Sequence, residues 1–185
     1  WIEVLLRWSH VLFAILWVGN SFLFNYLDNK LEKNTTNKGV DADGILQHSG
    51  WFYRVERLKA APEKFSKNLI IFKWQSYLTF ITGILLLIII YYANAKILMI
   101  DNRINESITP LMAIGISIIS IIGSWLVYDL ICKSKLVNSK IIFPVILLII
   151  GGVISFGMTK VFGPRFAFLS VGVILGSIMF FNVFF

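Results

Sequence analysis

The stretch Ile108–Ile131, ITPLMAIGISIISIIGSWLVYDLI, decides the fold, because it carries a single charged residue, Asp129. An α-helix needs roughly 20 apolar residues to cross the hydrocarbon core of a bilayer. Only helices and closed barrels satisfy every backbone polar group in lipid. The apolar residues here run continuously instead of alternating, which selects a helix. Comparable runs occupy about Val4–Leu27, Phe72–Tyr92, Ile141–Thr159 and Phe166 to the last residue, Phe185. Polar segments separate them: a long loop Asp28–Ile71, a short loop with Asp101, Arg103 and Glu106, a basic turn with Lys133, Lys135 and Lys140, and the turn Lys160–Arg165, where Gly163 and Pro164 break helices. The expected architecture is an all-α polytopic transmembrane bundle of about five helices, one domain over residues 1–185. Trp1 and Phe185 read as cut ends, and the first apolar run is too long for a cleavable signal peptide.

Composition agrees. Of 185 residues 57% are hydrophobic and only 15% charged, with mean hydropathy +0.79. A soluble domain would carry about a quarter charged residues. The net charge of +7 sits beside the spans, where orientation and anionic lipid account for it. No basic patch with a reading motif points to nucleic acid. The single cysteine, Cys132, excludes an internal disulfide and multi-cysteine metal centres within the chain. Lysine and arginine counts set the orientation. The first loop with the start of the second helix holds Lys30, Lys33, Lys38, Arg54, Arg57, Lys59, Lys64, Lys67 and Lys73, and the third loop holds three more. Only five lie on the other side. The N-terminus is therefore expected outside, with the first and third loops in the cytoplasm.

Ionisable groups inside a membrane are costly and mark functional hypotheses. His10 lies about two turns into the first helix. At 100° per residue it shares a stripe with Ala14, Trp17, Ser21 and Asp28. A neutral histidine there suits either a haem iron ligand or a hydrogen bond to a neighbouring helix. Asp28 and Asp129 sit at expected cytoplasmic helix ends, as solvated caps or as a carboxylate pair bordering a site. The first loop contains His48-Ser49-Gly50-Trp51-Phe52-Tyr53-Arg54-Val55-Glu56-Arg57. Aromatics beside arginines suit a flat anionic ring through stacking and bidentate hydrogen bonds; the same pattern suits a segment resting on anionic lipid. The 17 residues of helix following His10 rise roughly 25 Å, so His10 and His48 are not expected to share one iron. Gly172 with Gly176, and Ser117, Ser120 and Ser124, are expected small-residue packing seams.

These residues also carry a resemblance. Arg7-Trp8-Ser9-His10-Val11, then Trp17-Val18-Gly19-Asn20-Ser21-Phe22 and Leu27-Asp28-Asn29, resemble the start of the PuuD-type membrane urate oxidases. So do His48-Ser49-Gly50-Trp51-Phe52-Tyr53, Ala60-Ala61-Pro62, Phe72-Lys73-Trp74-Gln75-Ser76-Tyr77, Gly123 to Leu130, Gly163-Pro164-Arg165-Phe166-Ala167-Phe168, Val171-Gly172 and Asn182-Val183-Phe184-Phe185. The resemblance implies a bacterial inner-membrane protein that oxidises urate and passes electrons to cytochrome c. Two positions depart from the family pattern: a glycine triplet usually follows the loop histidine, and glutamate usually stands at Gln75.

On this reading His48, Asp28 and Asp129 are the catalytic candidates. Trp51, Tyr53, Arg54, Arg57, Lys73 and Trp74 would bind urate. His10, bordered by Trp17, would hold the iron of a haem b. Expected partners are the lipid bilayer, urate and cytochrome c. Two rivals stand beside it. His10 followed by Trp17-Val18-Gly19 also resembles HemJ-type haem-binding proteins, which oxidise porphyrinogens. The third reading is a non-enzymatic accessory membrane subunit whose histidine only packs.

Overall fold

The computed structural model describes residues 1–64 and 72–184. Lys67 of the basic loop and Phe185 lie outside the described residues. In chain order the elements are α1 (Ile2–Lys30), β1 (Glu32–Lys33), β2 (Val40–His48), β3 (Trp51–Leu58), α2 (Lys73–Leu86), α3 (Ala95–Leu98), α4 (Pro110–Lys133), α5 (Ile142–Val161) and α6 (Pro164–Phe184). Leu87–Tyr92 continues α2 in π-helical turns. Among the described residues, five helical stretches are long and apolar enough to cross a membrane: Ile2–Lys30, Lys73–Tyr92, Pro110–Lys133, Ile142–Val161 and Pro164–Asn182. The chain is a multi-pass helical membrane protein.

Local chemistry sets the helix ends. Thr109 caps α4, its hydroxyl accepting from the Met112 amide at 3.3 Å. Pro110 stands at the first turn, where its missing N–H is harmless. The Ser139 hydroxyl accepts from the Ile142 amide at the start of α5. Phe162 leaves α5 in an extended conformation, and Pro164 opens α6.

The chain forms two compact units, one of Trp1–Phe13 with Ser76–Phe185 and one of Ala14–Gln75. In the first, the core gathers Leu87, Met99, Ala113, Met158, Phe162 and Phe166. These come from the start of the π-helical turns after α2, the loop after α3, the start of α4, the end of α5 and the start of α6. Met99, Phe162 and Phe166 are fully buried. The Gly163 amide donates to the Met99 carbonyl at 2.9 Å and locks the two turns together. A second cluster joins α2, α4 and α6: Phe80 stacks on Phe180 at 3.9 Å, and Phe181 meets Trp125 at 5.2 Å. Among the small-residue seams, Ser117 is buried, with the Tyr92 hydroxyl 3.0 Å away. Gly172 and Gly176 face open space among the described residues, so the close approach expected there is not made.

The second unit departs from the expected unstructured polar loop. It holds an antiparallel sheet in the order β1-β2-β3. Ser49 and Gly50 both take positive φ, 50° and 83°. That pair makes the two-residue turn whose twist matches a hairpin. Leu27, Val40 and Ala42 are buried at the base. A Cβ on Gly44 would meet Leu31 Cδ2 at 2.9 Å, so glycine is what lets that leucine rest on the strand. A register shift between Val40 and Ala42 leaves Asp41 outside the ladder.

Candidate functional site

In the first unit, His10 is the membrane-embedded ionisable group, and its tautomer follows from its partners. Its Nδ1 lies 3.0 Å from the Thr79 carbonyl oxygen and 3.1 Å from the Thr82 hydroxyl. A carbonyl only accepts, so Nδ1 carries the proton and donates. The Thr82 hydroxyl donates in turn to the Leu78 carbonyl at 2.6 Å and is left as an acceptor for His10. The lone pair therefore sits on Nε2. The ring lies against Gly83, where a Cβ would come within 3.0 Å of Cε1 and 3.4 Å of Nδ1. Metal-ligating histidines commonly donate one ring N–H to a carbonyl and keep the other nitrogen for the metal, as the Nδ1–H and Nε2 of His10 are arranged here. Such a ring would be able to offer Nε2 to a haem iron. The same contacts also satisfy a purely packing histidine. No group of three or more His, Cys, Asp or Glu suited to a metal ion occurs among the described residues.

In the second unit, strand alternation divides the expected substrate residues. Across the ladder His48 faces Trp51, Leu46 faces Tyr53, Ile45 faces Arg54 and Ala42 faces Arg57. Period-two geometry puts His48, Trp51, Tyr53 and Arg57 on one face and Phe52, Arg54 and Glu56 on the other. Arg57 bonds Asp41 at 2.6 Å and Asp28 at 3.0 Å. Hydrogen bonds to Asp41 first, and then to Asp28, raise the Arg57 guanidinium further above its ordinary value. This cation is compensated by two carboxylates and ties β3 to the end of α1. Arg54 meets Asp43 at 3.1 Å and Glu56 at 3.0 Å. It also lines a depression of about 760 Å³ with Tyr26, Lys30, Lys33, Asn34 and Asp43. Trp51 is 72% exposed at the hairpin tip, and His48 is exposed beside it.

Of the two aspartates, read as solvated caps or as a carboxylate pair, Asp28 belongs to the second unit and Asp129 to the first, each held by its own cation. Asp28 meets Arg57, and Asp129 accepts from Lys133 at 2.6 Å one turn along α4. Lys73 and Trp74 are exposed in the first turn of α2. The Trp17 carbonyl accepts from the Ser21 hydroxyl at 2.9 Å.

Several partners escaped the sequence reading. Asn20 Nδ2 donates to Gln75 Oε1 at 2.7 Å. A glutamate at position 75 would accept the same bond, so the amide preserves the pairing and removes the charge. Thr79, Thr82 and Gly83 form the seat of His10. Their signal was present as two hydroxyls and a glycine inside an otherwise apolar run. Tyr26, Lys30 and Lys33 had none beyond their number.

Comparison with known families adds the remaining piece. The model of the urate oxidase N-terminal family matches residues 1–185. Neither a curated protein nor a solved structure matches the chain. With every residue of the chain inside that match, the protein belongs to the urate oxidase N-terminal family.

Proposed function

We propose that this chain is the membrane part of a urate-oxidising electron-transfer enzyme that delivers electrons to cytochrome c. The family match along the whole chain carries this reading. Urate is a flat anion at neutral pH, ringed by carbonyl acceptors. Ligand sites are concave and orient their ligand with a few polar groups. The depression lined by Tyr26, Lys30, Lys33 and Arg54 meets that description better than the exposed hairpin tip. There Lys30 and Lys33 offer charge and donors against Glu32 and Asp43 on the same lining, Arg54 offers the guanidinium N–H groups not used by Asp43 and Glu56, and Tyr26 offers a ring. Asp28, two residues beyond Tyr26 on α1 and outside the lining, is the candidate proton acceptor, and Glu32 and Asp43 are the carboxylates on the lining itself.

A haem b held by His10 would supply one-electron transfer within the membrane. His10 itself contributes Nε2 as the ligand, and the Thr79 carbonyl and Thr82 hydroxyl fix its ring. With the first loop cytoplasmic, urate binds inside and cytochrome c accepts outside, as the lysine and arginine distribution directs. The membrane is the bacterial plasma membrane on this reading.

The bond from His10 Nδ1 to the next helix serves a purely packing histidine equally well, and this keeps the accessory-subunit reading as the second one. Membranes containing the full-length protein separate these readings. Urate-dependent reduction of added cytochrome c is the expected result. Arg54→Gln should raise KM about tenfold or more, the worth of one hydrogen bond to a charged group. Oxidation of a porphyrinogen in place of urate would move the chain to the HemJ-type chemistry. Neither activity would leave the accessory role.

A further inference from the structure

A second depression, of about 810 Å³, lies wholly in the first unit, where α3, the loop after it and the start of α6 meet. Lys96, Arg103 and Arg165 line it, each from a different one of those segments. The carboxylate on the same lining is Asp101. Asp101 accepts from the Arg103 amide at 3.0 Å and lies 3.5 Å from the Arg103 guanidinium. Among the described residues, Lys96 and Arg165 have no ion-pair partner. Three cations therefore face one carboxylate that is already engaged.

The floor beneath them is rigid. Gly163 is tied to the Met99 carbonyl, and Met99, Phe162 and Phe166 are fully buried. The walls are apolar: Ile97 is 79% exposed on the depression's lining. Just inside the span starts, Leu111 on α4 is 80% exposed and Phe168 on α6 is 85% exposed. Pro110 and Pro164, at the first turns of two spanning helices, also line the depression and place it at the level where spans end. A cationic hollow bordered by lipid-facing side chains has the chemistry of an anionic headgroup site. Basic pockets between spanning helices bind anionic headgroups on the cytoplasmic side of other membrane proteins, and the same charge complementarity holds for this hollow, whose loops are expected outside.

We propose that this depression binds the phosphate of an anionic phospholipid, with the acyl chains lying against α4 and α6. The site is separate from the urate depression, and its test does not use enzymatic activity. The purified full-length protein in neutral detergent is heated with phosphatidylglycerol, with phosphatidylcholine, or with inorganic phosphate. Phosphatidylglycerol should raise the Tm, and phosphatidylcholine should not. The variant K96Q/R103Q/R165Q should need at least 100-fold more phosphatidylglycerol for the same shift, about fivefold for each cation lost. Asp101→Asn keeps the acceptor oxygen for the Arg103 amide and removes the opposing charge. It should bind phosphatidylglycerol more tightly than wild type, and it tests the site even if the triple variant does not fold. An equal shift with inorganic phosphate would assign the hollow to a soluble anion and overturn the lipid. Equal phosphatidylglycerol shifts in wild type and variants, or no shift in wild type, would overturn the site.

Discussion

At the scale of single residues, His10 shows how a polar group is made tolerable inside a membrane. An unsatisfied ring nitrogen in hydrocarbon would cost several kcal/mol. Here Nδ1 finds a carbonyl and a hydroxyl on α2, and Gly83 leaves room for the ring. Alanine at position 83 would place its Cβ 3.0 Å from Cε1. The ring is held by two polar contacts and cannot retreat without losing them. Gly83→Ala should therefore destabilise the protein by about 1–3 kcal/mol, the usual cost of overpacking, and thermal unfolding in detergent measures it. Gly83→Ala and Thr82→Val should be less than additive, because both act on the same ring contact. The histidine was legible in the sequence as a charge-capable residue in an apolar run. Its tautomer was not, because that depends on which carbonyl of α2 lies opposite.

At the scale of elements, the spanning helices were readable and the sheet was not. Hydropathy alone marks Pro110–Lys133, since nearly every residue is apolar and no other element satisfies its backbone in lipid. The strands lack that clarity. In β2 the apolar residues fall at Val40, Ala42, Ile45 and Leu46, and the register shift around Asp41 breaks their alternation. In β3 only Val55 is shielded from solvent, so no buried face writes itself into the pattern. The turn at Ser49-Gly50 was the surviving signal. A consequence is that Arg54 and Arg57, three apart in sequence, serve different faces. Arg57 is spent on Asp41 and Asp28, which anchor the sheet to α1. Its side chain is 45% exposed, so solvent screens both pairs and each adds little. Arg57→Ala should thus loosen the sheet, seen as faster amide exchange in β2 and β3, and leave the urate KM nearly unchanged. Arg54→Gln should raise the urate KM, and it also removes the Asp43 pair between β2 and β3. Equal effects of the two on KM would return the substrate to the hairpin tip.

At the scale of the whole molecule, the account rests on a multi-pass membrane chain with substrate and acceptor on opposite sides. On the proposed orientation, the third loop is cytoplasmic and the second lies outside. In a Cys132→Ser background, Ser139→Cys should react with an impermeant thiol reagent only in inverted vesicles, and Asn102→Cys only in right-side-out ones. The reverse pattern would invert the protein and move the urate depression to the outer face. The most direct test of the central claim is the visible spectrum of the purified full-length protein, recorded before and after urate is added without oxygen. The account predicts a b-type haem band that His10→Ala abolishes and that urate shifts to the reduced form. A well-folded protein with no haem band, or with one indifferent to urate, would contradict it.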